Sequence, residues 1–267
     1  MPSRTRPNSE LIKIINTSRT AIASNQKTKN LLSDVTWTLT PGQKIAVFST
    51  SQLSAQAFLE CASGVTPPQT GKVEINGNVS WPIGMKGGLS SSLSGQHGAG
   101  FLHQIYGKPG KKQQEIEFIQ NLSEVGEDLF NKPLKLCSQN LRERIFIAMG
   151  LAFDFDAYFI AKSYMWKSDR QHERRSNYIQ ALRDKTHDKS LVMTGIDYDF
   201  MKEFCNQGIV LHEGRIDHSG TFEECRDIIN RLMAEKTTDD RWLEETEIIE
   251  STNRSKNDES DFEDEEW

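Results

Sequence analysis

The amino-acid sequence predicts an α/β fold with a largely parallel sheet, flanking helices and an antiparallel β portion. Three observations predict it. Solidly apolar stretches recur at "KIAVF" (44–48), "AYFIA" (157–161) and "SLVM" (190–193), as strands buried on both faces require. Segments with helical spacing separate them, the alternation that builds a parallel sheet. Shorter, alternating stretches lie among the first 81 residues and are broken by Pro-Gly and Asn-Gly pairs, which point to antiparallel pieces.

In chain order, residues 1–30 read as a polar extension with one short strand at Leu11–Ile15 before a flexible link. The folded domain spans 31–236, with a helical part at about 90–155. "TWTLTPGQKIAVF" (36–48) reads as an edge strand, a Pro41-Gly42 turn and a buried strand. "TGKVEINGNVSW" (70–81) reads as a hairpin-like piece turning at Asn76-Gly77. Ile116, Ile119, Leu122 and Val125 recur at helical spacing. "QNLRERIFIAMGLAF" (139–153) is a largely buried helix, followed by the buried strands "DAYFIA" and "SLVMTG". A short helix in "YDFMKEFCNQG", a hairpin split at Glu213-Gly214 and an amphipathic helix from Thr221 complete the domain. Thr221 followed by Glu224 has the spacing of a capping box. Beyond Thr237 there are 13 acidic residues against 3 basic ones, so 237–267 reads as a mostly disordered acidic tail.

Composition narrows the function classes. The 267 residues carry a net charge of −6, which gives no footprint for nucleic acid. Cys61, Cys137, Cys205 and Cys225 are far apart and form no CxxC pair, so neither a zinc site nor a disulfide framework is indicated. The six histidines show no ligand spacing, and no metal site is expected. The basic start precedes no apolar run, and the longest apolar run, Ile145–Phe153, is too short to span a bilayer. The expected location is cytoplasmic, with any membrane association made through a partner.

One stretch frames the question of function. "KIAVFSTSQLSAQAFLECASG" (44–64) has the strand-turn-helix layout of a phosphate-binding loop but lacks its lysine and its glycines. Alone it is an ordinary strand and helix. It gains meaning from the later segments of the chain, taken in order: "SWPIGMKGGLSSSLSGQHGAGFLHQIYG" (80–107), a helical segment, "CSQNLRERIFIAMGLAF" (137–153), "DAYFIAK" (156–162) and "LVMTGIDYDFMKEFC" (191–205). This series resembles the nucleotide-binding subunit of an ATP-binding-cassette exporter, in the branch that exports capsular polysaccharide and related surface glycans. The most specific piece is 80–107, where that branch has a similar Trp-Pro-x-Gly, Gly-Gly and Leu-Thr-Gly framework. The resemblance covers roughly 31–220 and implies a cassette of the phosphate-loop nucleotide-hydrolase type.

The resemblance also implies which positions would carry catalysis. A phosphate loop G-x-x-x-x-G-K-[ST] uses glycines for backbone approach, a lysine on the phosphates and a hydroxyl on magnesium. The corresponding residues are Ser49, Ser54, Ala55 and Gln56. Losing the ammonium forfeits charge-assisted hydrogen bonds worth roughly 1.5–3 kcal/mol each. Serine in a left-handed nest costs on the order of 1–2 kcal/mol per residue. Where the family has a magnesium-binding Asp and a catalytic Glu, the chain has Ala161 and Lys162. Its Gln and its switch His correspond to Ser90 and Ile196, and its signature reads Ser138, Gln139, Asn140 after Cys137. No aromatic adenine platform is evident upstream.

The expected function is therefore a degenerate cassette subunit of a surface-glycan export system. It would hold no cofactor, or ATP only weakly. Its partners would be a membrane permease and a cassette subunit, identical or active, with Trp81, Pro82, Gly87 and Gly88 shaping the permease-docking groove. Two alternatives stand beside it. One is a divergent but active ATP-hydrolysing subunit. The other is a soluble regulatory protein that reuses the fold and works through its acidic tail.

Overall fold

The computed structural model describes residues 10–22, 28–85, 88–161 and 172–235, with side chains from 177 onward in the last stretch. Two sheets organise it. β1 (Ile12–Ile22), β2 (Thr28–Leu39) and β4 (Thr70–Ile75) form an antiparallel sheet in the order β2-β1-β4. The larger sheet runs β5 (Val79–Ile83), β6 (Ala157–Ile160), β7 (Ser190–Thr194), β3 (Lys44–Ser49), β8 (Gln207–His212), β9 (Arg215–Thr221). All its neighbours are parallel except the β8–β9 hairpin.

The apolar strands follow from burial on both faces. Ile45 and Val47 of β3 join a core shared with helix α1 (Gln52–Ala62) and the antiparallel sheet. Ala46 and Phe48 join the opposite core, shared with the remaining helices. On the first side Trp37 of β2 meets Phe58 of α1 edge-on, with ring centroids 5.1 Å apart. On the second, α5 (Gln139–Ala152) lies against β5. Gly150 permits that approach, because a Cβ there would fall 2.6 Å from Ile83 Cγ1.

The helical part consists of α2 (Gly95–Tyr106), α3 (Lys112–Ser123), the short α4 (Glu127–Phe130), a 3-10 turn (Leu134–Leu136) and α5. α3 buries Ile116 and Ile119, as their spacing predicts, and ends at Glu124 in the left-handed conformation (φ 49°). Arg144 of α5 reaches the carbonyls of Ser123 and Glu124, so its guanidinium caps α3. α6 (His172–Thr186) and α7 (Tyr198–Lys202) precede β7 and β8. α8 (Phe222–Glu235) begins with the expected capping box: Thr221 N–H donates to Glu224 Oε2 at 2.8 Å and Glu224 N–H to Thr221 Oγ1 at 3.3 Å. Glu213 and Gly214 both have positive φ (48° and 78°), which the tight β8–β9 turn requires.

Two expectations are corrected. The Asn76-Gly77 turn does not join a hairpin: β4 pairs with β1, and β5 pairs with β6. It carries the chain from one sheet to the other, pinned by Asn76 N–H to the Leu11 carbonyl (2.8 Å) and Asn78 N–H to Asp156 Oδ2 (2.9 Å). A turn signal is local, whereas strand pairing is decided by distant partners. The strand expected at Leu11–Ile15 is also longer. β1 runs 11 residues and is the central strand of its sheet, so 12–22 is packed structure and not an extension. Its polar middle, "NTSRT", hides it from a hydrophobicity reading. Thr17 is nonetheless fully buried, and Arg19 pairs with Glu60 of α1 at 2.8 Å.

Lys162, Gly87 and 237–267 lie outside the described residues. Among the described residues no helix is long and apolar enough to cross a membrane, and no three His, Cys, Asp or Glu side chains come together as a metal site would need.

Candidate functional site at the ends of the parallel strands

Ligands of open α/β sheets sit beyond the carboxyl ends of the parallel strands. Here that edge is formed by Ser49 of β3, Ala161 after β6 and the Thr194–Asp197 segment after β7.

The link from β3 to α1 is only Thr50 and Ser51. Helix α1 starts at Gln52, so Ser54, Ala55 and Gln56 lie in its first turns and not in a loop. Ser51 has β-region dihedrals (φ −136°, ψ 121°) and caps the helix, its hydroxyl accepting from Ser54 N–H at 3.4 Å. Ala55 N–H donates to the Ser51 carbonyl at 3.1 Å. Thr50 N–H donates to the Leu211 carbonyl at 3.2 Å, and Ser51 N–H to Ser49 Oγ at 3.1 Å. No residue from 49 to 56 has positive φ. A phosphate nest needs successive amides pointing into one concavity, with left-handed residues among them. The amides of Thr50, Ser51, Ser54 and Ala55 instead bond the protein itself. The left-handed strain expected of Ser49 and Ser54 is absent, because the chain continues as helix.

The side chains agree with the backbone. Ser54 and Ala55 are buried, 3 % and 4 % exposed. Gln56 donates to Glu60 Oε1 at 2.8 Å, and Glu60 Oε2 pairs with Arg19 at 2.8 Å, so the amide is turned into a network between α1 and β1. Ala161 is 3 % exposed and its N–H donates to the Ile83 carbonyl at 3.1 Å. Ser90 is exposed, with its hydroxyl 2.7 Å from that of Ser92. Ile196 is 63 % exposed, an apolar surface where the family places an imidazole. Neither a carboxylate for magnesium nor an ammonium for phosphate stands at Ala161, Ser90, Ile196 or Ser49–Gln56, so these residues do not fit a magnesium–triphosphate group.

Ser138, Gln139 and Asn140 are together and exposed at the start of α5. Ser138 caps the helix by accepting from Leu141 N–H at 3.4 Å, and Gln139 donates to Glu143 Oε1 at 2.9 Å. This cluster belongs to the helical part, apart in sequence and in fold from the β3–α1 link.

The groove expectation is revised. Trp81 and Pro82 lie in β5 and are buried, so neither presents a surface to a partner. The Trp81 ring packs on Tyr106 and Phe155 at 5.4 and 6.2 Å between centroids. Gly88 is exposed. The sequence reading missed the outer face of α2, where Phe101 and Ile105 are 46 % and 56 % exposed. Their i, i+4 spacing beside the buried Ala99 and Leu102 is a second apolar stripe, legible only once the core face is known. Phe101 lines a groove of about 370 Å³ between α2 and α3.

No family model matches the chain. Among curated proteins it is 26 % identical over 186 residues to the polysialic acid transport ATP-binding protein KpsT of Escherichia coli, covering 70 % of this chain and 81 % of that one. It is 25 % identical over 213 residues to the capsule polysaccharide export ATP-binding protein CtrD of Neisseria meningitidis, covering 78 % and 94 %. Among solved structures it resembles the ATP-binding cassette MJ0796 in a dimeric state bound to ADP and Pi, with a TM-score of 0.64 at 14 % identity over 79 % of this chain and 98 % of that one. An ATP-binding subunit of an ABC transporter gives 0.65 at 15 % identity over 88 % and 99 %. The chain therefore has the ATP-binding-cassette fold and is a homologue of the ATP-binding proteins of capsule and polysaccharide export.

Proposed function

We propose that this chain is a non-hydrolysing cassette subunit of a surface-glycan export system, acting through protein contacts on the cytoplasmic face of the membrane. The observation that carries the reading is the two-residue β3–α1 link, whose backbone donors bond the protein itself. Replacement of the lysine, both carboxylates, the glutamine and the histidine at the corresponding positions supports it. So does the kinship with polysaccharide-export ATP-binding proteins. Its partners are a membrane permease and a second cassette subunit, either another copy or an active homologue. The exposed Phe101–Ile105 face of α2 supplies apolar area for the permease. Trp81 packs behind that helix, against Tyr106.

Co-expression with a surface-glycan permease and its active cassette tests the proposal. The expected result is co-purification of this chain with the permease and no phosphate release by this chain alone in single-turnover assays. A clean monomer that ignores permease and cassette alike overturns the docking role. Magnesium-dependent phosphate release above a buffer blank overturns the non-hydrolysing one and favours a divergent ATPase.

A further inference from the structure

We propose that the groove between α2 and α3 binds an acidic sugar residue. Its volume, about 370 Å³, lies at the lower end of small-ligand pockets, roughly 300–1,000 Å³. The Phe101 ring, 46 % exposed, and the largely buried Ile116 give it apolar surface. Around that surface stand the amides of Gln96, Gln104 and Asn131 and the Lys112 ammonium. Lys112 belongs to α3 but reaches α2: a Cβ added at Gly100 would lie 3.7 Å from its Cε and 4.0 Å from its Nζ. No carboxylate of the described residues lines the groove.

The polar groups of this lining are unengaged, whereas side chains nearby are paired. Lys108 meets Asp154 at 2.5 Å, Lys111 donates to Gln114 at 2.9 Å and Gln113 to Glu117 at 3.0 Å. The His97 ring, at the same groove, is held by the Ser94 hydroxyl at 2.9 Å. Gln96, Gln104, Lys112 and Asn131 make no side-chain hydrogen bond or ion pair among the described residues. An apolar helix laid here would strip water from these amides and the ammonium and give them no partner. An inorganic anion would meet the single ammonium and leave the ring idle. A sugar acid engages every group. The C–H face of its ring packs on the electron-rich face of Phe101. Its hydroxyls exchange hydrogen bonds with amides that both donate and accept, and its carboxylate pairs with Lys112. Ile105 does not line the groove and remains with the face assigned to the permease. Sugar binding needs neither permease nor second cassette, and so goes beyond the docking role.

Titration of the full chain with methyl β-glucuronide, followed by amide NMR shifts, tests this. Saturable shifts should appear at Gly100, Phe101 and Lys112. Methyl β-glucoside, the neutral counterpart, should bind several-fold more weakly, and acetate should give no saturable shift. Lys112→Gln should bring the glucuronide to the level of the glucoside, and added salt should weaken the glucuronide alone. Gly100→Leu, which fills the groove from a helical position, should abolish binding of both sugars with a melting midpoint unchanged or raised. A hyaluronan tetrasaccharide separates the sources. Binding at least as tight as that of the monosaccharide assigns a chain-borne residue, weaker binding assigns a free sugar acid, and both keep the acidic sugar. No saturable shift, acetate that saturates with the same shifts, a glucoside that binds equally well, shifts that map away from the groove, or unchanged binding by Gly100→Leu overturns the proposal. A chain that binds the glucuronide but no permease leaves it standing and overturns only the docking role.

Discussion

The Ala55 backbone N–H points at the Ser51 carbonyl, 3.1 Å away, and not into an open cradle. An ordinary helical hydrogen bond thus occupies the donor that the phosphate-loop layout would aim at a ligand. Nucleotide should therefore stabilise the fold very little. At a concentration equal to its dissociation constant a ligand adds about 0.4 kcal/mol. A millimolar excess of magnesium and ATP should shift the melting midpoint by less than about 2 °C. A larger shift in calorimetry contradicts the closed site.

Restoring the lysine should not restore activity. Ala55 is 4 % exposed, and Gln56 is held by Glu60. Ala55→Lys must either bury an ammonium or disturb the first turn of α1. The expected outcome is a loss of about 1–3 kcal/mol in urea unfolding, with no phosphate release.

Gly150 and Ile83 set how closely α5 approaches β5. A Cβ at 150 would lie 2.6 Å from both Cγ1 and Cγ2 of Ile83. Gly150→Ala should destabilise by about 1–3 kcal/mol through overpacking. Ile83→Ala, which removes Cγ1, Cγ2 and Cδ1 together, should cost less in the Gly150→Ala background than in the wild type, so the two changes are non-additive in a double-mutant cycle.

Asp154 ties the helical part to α6 through Lys108 (2.5 Å) and Lys185 (2.7 Å). Burial alone would raise its carboxyl, but the two ammonium groups hold it down, to about 2. A lowered carboxylate contributes stability above its unfolded value, lost as pH falls from about 4 through 2. The side chain is 48 % exposed, so solvent screening limits the effect to about 1 kcal/mol or less. Denaturation midpoints of wild type and Asp154→Asn should differ at pH 6 and converge as acid protonates the wild-type carboxyl.

All four cysteines are free and buried. Burial pushes the Cys205 thiol up to about 12 and raises Cys61 and Cys225 as well. The thiolate is the reactive form, so native protein at pH 8 should alkylate slowly and denatured protein rapidly. Mass spectrometry with iodoacetamide, with and without guanidinium, measures the contrast.

The buried framework was legible because it depends on local pattern. "KIAVF" and "AYFIA" fill both cores as their composition demands, and Thr221–Glu224 forms its capping box. What stayed hidden depends on distant partners. The β1 strand owes its place to Leu39, Ile75 and the Arg19–Glu60 pair, which no short window contains. The site was half legible: the residue types at 49, 54, 55 and 56 were evident, but not the helical start at Gln52 that replaces the cradle. The sequence leaves Trp81 open between a core residue and a groove-shaping one, because a motif position carries no burial, and the ring's packing on Tyr106 decides for the core.

The brevity of the Thr50–Ser51 link has a consequence for regulation. If the chain holds no nucleotide, as proposed, its folding free energy carries no appreciable term in nucleotide concentration. Any complex this chain makes through its own surfaces is then set by the abundance of its partners. A fall in the cell's adenylate charge would leave such a complex assembled.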